Sequence, residues 1–235
     1  MAEEAATADS ALVASFRRRG QEALELARKV LLSGPWRFES RTPDGDQVHS
    51  CAVPGVGRVL MITAFYNCSA HTLKQILIDG LEDYPKWSNA YVKDSCKRLM
   101  MLGDDMDVTR VATSARLGGL VSARDWLSVR HWCDGVDEKG VPETVSCGVA
   151  VTHPDFPAGK GGMVRGETLL SAYGIADVPP APAEAGAGPR CRLRFLCCAR
   201  LGGWLPHSVV ERYFAGGLVD FAGQLRRRLD AQDAP

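Results

Sequence analysis

The chain has 235 residues with 28 basic and 28 acidic side chains, a formal net charge of zero and an apolar fraction of 46%. That is the profile of one sizeable soluble globular domain, able to bury a core without disulfides or metal. The neutral balance excludes a nucleic-acid partner, which needs a basic field, and no run approaches the ~20 apolar residues of a membrane-spanning helix.

Residues 1–9 read as a disordered tail, with Glu3, Glu4 and Asp9 ahead of the first basic residue, Arg17. Neither a secretory signal nor a mitochondrial presequence has that pattern, so a cytoplasmic protein is expected. A single domain is expected over 10–231. It opens on an amphipathic helix capped at Ser10, with Leu12, Val13, Phe16, Ala23, Leu24, Ala27, Val30 and Leu31 on one stripe and a stop at Gly34-Pro35. Strands follow at 36–41, 48–53 and 58–66, separated by short turns, and they predict an antiparallel meander. Leu73, Ile76, Leu77 and Leu81 recur at helical spacing behind a Ser69 cap, predicting a helix over 69–81. Further strands are predicted at 92–102, 106–113, 124–134, 141–152, near 163–170 and at 190–200. The Ala- and Pro-rich stretch 178–189 reads as an exposed insertion.

A strong helix closes the chain. Pro206 suits its first turn, and Val210, Phe214, Leu218, Phe221, Leu225 and Leu229 form its apolar stripe. The glycine pair 216–217 in its middle reads either as a weak point of the helix or as a close approach to a strand. The order of elements predicts an α+β fold, a curved antiparallel sheet with a long helix laid across it.

The eight cysteines lack any paired C-x-x-C spacing, so reduced thiols are expected, with no metal and no cofactor. The five histidines are dispersed. His131 and Cys133 share a strand face but have no orienting third group, so a Cys-His nucleophile is not expected. The stretch 159–162 superficially suggests a phosphate loop but lacks its spacing, and a surface turn is expected.

Two passages resemble a known family. Gly118-Gly119-Leu120-Val121-Ser122-Ala123-Arg124-Asp125-Trp126-Leu127-Ser128-Val129-Arg130 is similar to the START-domain loop-and-strand pattern that ends in Val-Arg. Leu201-Gly202-Gly203-Trp204-Leu205-Pro206 with Val219-Asp220-Phe221-Ala222 resembles the last strand and lid helix of the StAR-like branch. Gly161-Gly162-Met163-Val164-Arg165-Gly166-Glu167 resembles that branch's Gly-Val-Ile-Arg-Ala-Glu strand. The similarity is good from Trp87 to Leu229 and thin before it. It implies the helix-grip fold around an apolar tunnel that holds a sterol, with a carotenoid as the main alternative ligand. It also implies transient membrane contact and a carrier working as a monomer rather than an enzyme. A helix-grip enzyme and an interaction module with a filled core are the rivals.

The resemblance further implies an acidic tunnel residue paired with the arginine at Arg130, but the position that matches it here is Val111. Arg130 is then expected to lack its partner, leaving Thr109, a ligand polar group or solvent to satisfy it. Trp126, Ser128, Arg130 and Trp132 share one strand face, so all four are expected to line the tunnel. Together with Thr109, Val111, Val210, Phe214, Leu218 and Phe221 they form the expected ligand site.

Overall fold

The computed structural model describes residues 2–159, 162–178 and 188–231. Most of the stretch 178–189 and part of the turn 159–162 therefore lie outside the described residues. Helix α1 (Ala2–Ser33) begins well ahead of the Ser10 cap. Ala2 to Ala6 are strong helix formers with two glutamates that favour a helix start, so the segment assigned to a tail continues the helix. Its end is where the sequence places it, with the Gly34 amide and the Trp36 indole both donating to the Val30 carbonyl at 3.0 and 3.1 Å.

Among the described residues ten strands make one sheet: β1 (Arg37–Arg41), β2 (Gln47–Val53), β3 (Gly57–Tyr66), β4 (Lys97–Met101), β5 (Met106–Thr113), β6 (Arg124–Val136), β7 (Pro142–Ala150), β8 (Val164–Arg165), β9 (Glu167–Asp177) and β10 (Cys191–Arg200). Their spatial order is β1-β2-β3-β10-β9-β7-β6-β5-β4, all antiparallel, with the short β8 pairing parallel to β6. The expected helix over 69–81 is broken. A first piece, α2 (Ala70–Lys74), is capped by Ser69 and passes into a π-helical turn, Gln75–Asp79. A tighter turn and α3 (Tyr84–Trp87) follow. Helix α4 (His207–Asp230) closes the chain.

Alternation along the strands sorts side chains into two cores. On the outer face α1 packs Phe16, Ala27 and Leu31 against Val108, Leu127, Val129 and Leu196. On the inner face α4 and the short helices lay Leu77, Leu218, Phe221 and Leu225 over Ile62, Ile175 and Leu193. The fold is therefore α+β, a curved antiparallel sheet gripping a C-terminal helix.

A buried charge cluster ties the outer layer to the sheet. Arg194 donates to the Leu31 carbonyl at the end of α1 (3.1 Å) and to the Glu143 carboxylate (2.6 Å). Gly174, opposite on β9, leaves room for that carboxylate: a Cβ there would stand 2.8 Å from Glu143 Oε1.

Candidate functional site

The inner face encloses a cavity of about 350 Å³ between the floor of β5, β6, β7, β9 and β10 and the roof formed by α4 and the 114–123 loop. That lies within the ~300–1,000 Å³ usual for small-molecule sites. Eight of the ten expected site residues meet on its wall: Thr109, Val111, Trp126, Ser128, Arg130, Phe214, Leu218 and Phe221.

Trp132 and Val210 are not on that wall. Trp132 packs into the inner core beneath α2 and its π-helical turn, with the Arg130 guanidinium 5.8 Å from its ring centroid. Sharing a face with Arg130 was right, but the short helices cover that end of the strand before the cavity reaches it. Val210 lies in the first turns of α4, where no residue is buried, and the wall begins at Arg212, Tyr213 and Phe214.

The expectation of an unpartnered Arg130 is overturned. Strands β5 and β6 place Asp107 directly opposite it, while Val111 faces Trp126. Arg130 donates from Nε to Asp107 Oδ1 at 2.9 Å and from Nη2 to Oδ2 at 2.5 Å, and Asp107 is fully buried. Arg98 adds a third bond to the same carboxylate at 2.8 Å. The π-helical turn contributes the Ile78 carbonyl, 3.1 Å from Arg130 Nη2. Burial works against the guanidinium's charge, but the Asp107 hydrogen bond and charge outweigh it and hold the Arg130 pKa above its usual value. Thr109 turns to the Ser128 carbonyl instead, at 3.5 Å. The partner was legible in the hairpin itself: Asp107, Thr109 and Val111 alternate onto the face of Arg130, and Asp107 is the lone charge among them.

Sequence reasoning missed the aromatic end of the cavity, where Tyr84, Tyr173 and Phe195 converge on Phe221 and Tyr91 packs on Tyr84. These residues come from four separate segments, and no local pattern brings them together. Tyr84 donates to the Leu77 carbonyl at 2.6 Å. Burial pushes the Tyr84 and Tyr91 phenols well up and that of Tyr173 up to about 12, so the ring cluster is uncharged at neutral pH.

Helix α4 has two unequal halves. Before Leu218 it buries no residue; from Leu218 on it buries Leu218, Phe221, Ala222, Gln224, Leu225 and Leu229. The second half is also held by Arg226 on Asp46 (2.8 Å) and by Gln224, which accepts from the Asn89 amide (2.9 Å). Gly216 and Gly217 mark the junction, and a Cβ at either would meet only open space. Close approach to a strand therefore does not explain them.

His131 and Cys133 do not pair with one another. His131 Nε2 lies 3.3 Å from Asp105 Oδ2, and Cys133 instead contacts Arg28 at 3.9 Å. Burial raises the Cys133 thiol above its usual pKa, which opposes a thiolate. Cys197, on the cavity floor, is pushed up to about 12 by burial. Among the described residues no cluster of His, Cys, Asp or Glu is placed to hold a metal ion. No described helix is long and apolar enough to cross a membrane.

Comparison with known proteins agrees with this geometry. The START domain family model matches residues 17–234. "Steroidogenic acute regulatory protein, mitochondrial" of Rattus norvegicus is 30% identical over 221 residues, spanning 94% of this chain and 73% of that protein. The protein of the same name from Homo sapiens is likewise 30% identical, over the same shares of both chains. Among solved structures, human StAR-related lipid transfer protein 5 superposes with a TM-score of 0.74 at 19% identity, covering 91% of this chain and 97% of that one. On the family match and the shared fold together, this chain belongs to the START domain family.

Proposed function

We propose that this chain binds one neutral lipid of the sterol class in the inner cavity and carries it between membranes without chemically altering it. The observation that carries the reading is the cavity, whose lining is largely apolar and whose deepest arginine, Arg130, is already neutralised by Asp107. Such a site rewards hydrocarbon at roughly 25 cal/mol per Å² withdrawn from water and offers a charged ligand nothing to pair with at its base. The names of the relatives, a steroidogenic regulator and a lipid transfer protein, support the same class of cargo.

Exposed apolar side chains favour membrane contact at the roof. Trp204 is 89% exposed in the turn before α4 and Leu120 is 64% exposed on the 114–123 loop. Arg124 ties the two segments together, donating to the Leu201 carbonyl at 2.7 Å and to the Ser122 carbonyl at 2.6 Å. Aromatic and leucine side chains presented this way suit a lipid–water interface. The loosely packed first half of α4 then swings about Gly216-Gly217 to admit or release cargo.

Vesicle-to-vesicle transfer of a fluorescent sterol tests the reading: the chain accelerates transfer, and loss of the Gly216-Gly217 hinge slows it. Gly216→Ala with Gly217→Ala raises helix stability by up to ~1 kcal/mol per site, visible as a higher Tm, while the transfer rate falls several-fold. A chain that takes up sterol yet transfers none contradicts the carrier role. A double variant that is stabilised but transfers at the original rate contradicts the hinge.

A further inference from the structure

Near the roof, two hollows are separated by the sheet. Trp126 walls the inner cavity, while Phe16, Leu127 and Gly166 wall a second hollow on the outer face beneath α1. Gly166 joins β8 to β9, is buried, and donates its amide to the Asp125 carbonyl at 2.9 Å, so its backbone runs beside Trp126. That backbone lies outside the left-handed region, so its conformation does not call for glycine. Space does. A Cβ at Gly166 would stand within 2.7 Å of Cε3, Cζ3 and Cη2 of the Trp126 indole.

Those three atoms belong to the six-membered ring, which therefore rests on bare backbone. The other edge of the indole is fixed as well. Its Nε1 donates to Thr113 Oγ1 at 3.0 Å, and the Thr113 hydroxyl also hydrogen-bonds the Tyr213 phenol of α4. Val111 faces Trp126 directly from β5, and Leu117 and Phe214 line the cavity from the roof. With the β8–β9 backbone behind it, an indole that is crowded moves into the cavity. Tryptophan thus fits at 126 because residue 166 has no side chain, and the cavity keeps its width because the ring is recessed into that gap.

We propose that Gly166 and Trp126 are a size-matched pair that sets the width of the cavity beside its roof, and so the bulk of the ring system it admits. Trp126 is the residue that touches the ligand, and Gly166 is a positioning residue that acts through it. This deepens the sterol-carrier reading and rests on it.

The test is displacement of a fluorescent sterol by cholesterol and by a sterol with two methyl groups added to its rings, using the full chain and three variants. Gly166→Ala is expected to weaken both sterols by roughly tenfold or more, because the displaced indole takes the space of the rings. Adding Trp126→Phe to it restores cholesterol binding to within about threefold of the wild-type chain, since a phenyl ring stops short of Cζ3 and Cη2. Trp126→Phe alone removes bulk without a clash, and the methylated sterol then gains several-fold on cholesterol. Thermal unfolding reports which variants are folded. A folded Gly166→Ala chain with wild-type affinity overturns the proposal, as does a loss that the second substitution fails to rescue. Should Gly166→Ala not fold, Trp126→Phe decides, and an unchanged ratio between the two sterols overturns the proposal. A wild-type chain that binds no sterol is a different outcome, in which the carrier reading itself fails.

Discussion

Asp107→Ala lowers the unfolding free energy by about 3–5 kcal/mol, the largest loss expected from any single truncation in this chain, because it strands a buried guanidinium. Asp107 is fully buried and takes three charge-assisted hydrogen bonds, two from Arg130 and one from Arg98. Arg98 is partly exposed and can turn to water, but Arg130 has an 11% exposed side chain and nowhere to go. Urea unfolding measures the loss. Replacing the pair together, Asp107→Leu with Arg130→Met, recovers most of it, since a buried ion pair contributes little beyond what well-packed apolar groups supply. A single Asp107→Ala variant within 1 kcal/mol of the original contradicts the geometry assigned to this pair. For the same reason Arg130 is not a residue that can be removed to probe the ligand site without cost to the fold.

Leu218→Asp abolishes sterol uptake, weakening binding by roughly a hundredfold or more, because it sets a carboxylate into an apolar wall. Leu218 is 3% exposed and belongs both to the cavity and to the inner core, so this variant also loses stability. Phe214→Asp separates the two effects: Phe214 lines the cavity from the half of α4 that buries nothing. It leaves the unfolding midpoint nearly in place while uptake of the fluorescent sterol falls at least tenfold. A folded Phe214→Asp variant with full uptake would show that α4 does not cover the ligand.

The closing helix and most of the strands were legible in the sequence because they are local, but the strand expected near 163–170 runs over Glu167–Asp177 and the one expected at 92–102 is confined to Lys97–Met101. Met106–Thr113 coincides with the predicted strand, and Leu218, Phe221, Leu225 and Leu229 recur at the spacing of the face they bury. The helix over 69–81 was read as continuous because its apolar periodicity survives through Leu81, but a π-helical turn interrupts it and turns the Ile78 carbonyl onto Arg130. Such a turn keeps one apolar face and changes only the hydrogen-bond register, so periodicity does not reveal it.

The site was legible where one strand carries it and illegible where several segments meet. Trp126, Ser128 and Arg130 share a face by alternation, and the family resemblance at Arg130 turns that face to the tunnel. The family's acidic position pointed to Val111 for the partner of Arg130, whereas direct cross-strand pairing supplies it at Asp107. The same strand rule overreached at Trp132, since it knows the face but not what covers it. Tyr84, Tyr91, Tyr173 and Phe195 reach the cavity through tertiary packing, for which no spacing in the sequence stands.

Native mass spectrometry of the chain purified from a lipid-rich host, paired with organic extraction of what it carries, tests whether the inner cavity holds a sterol. One neutral, sterol-class lipid per chain is expected, released on unfolding and replaceable by an added fluorescent sterol. A chain that is empty as purified and takes up no sterol would contradict it.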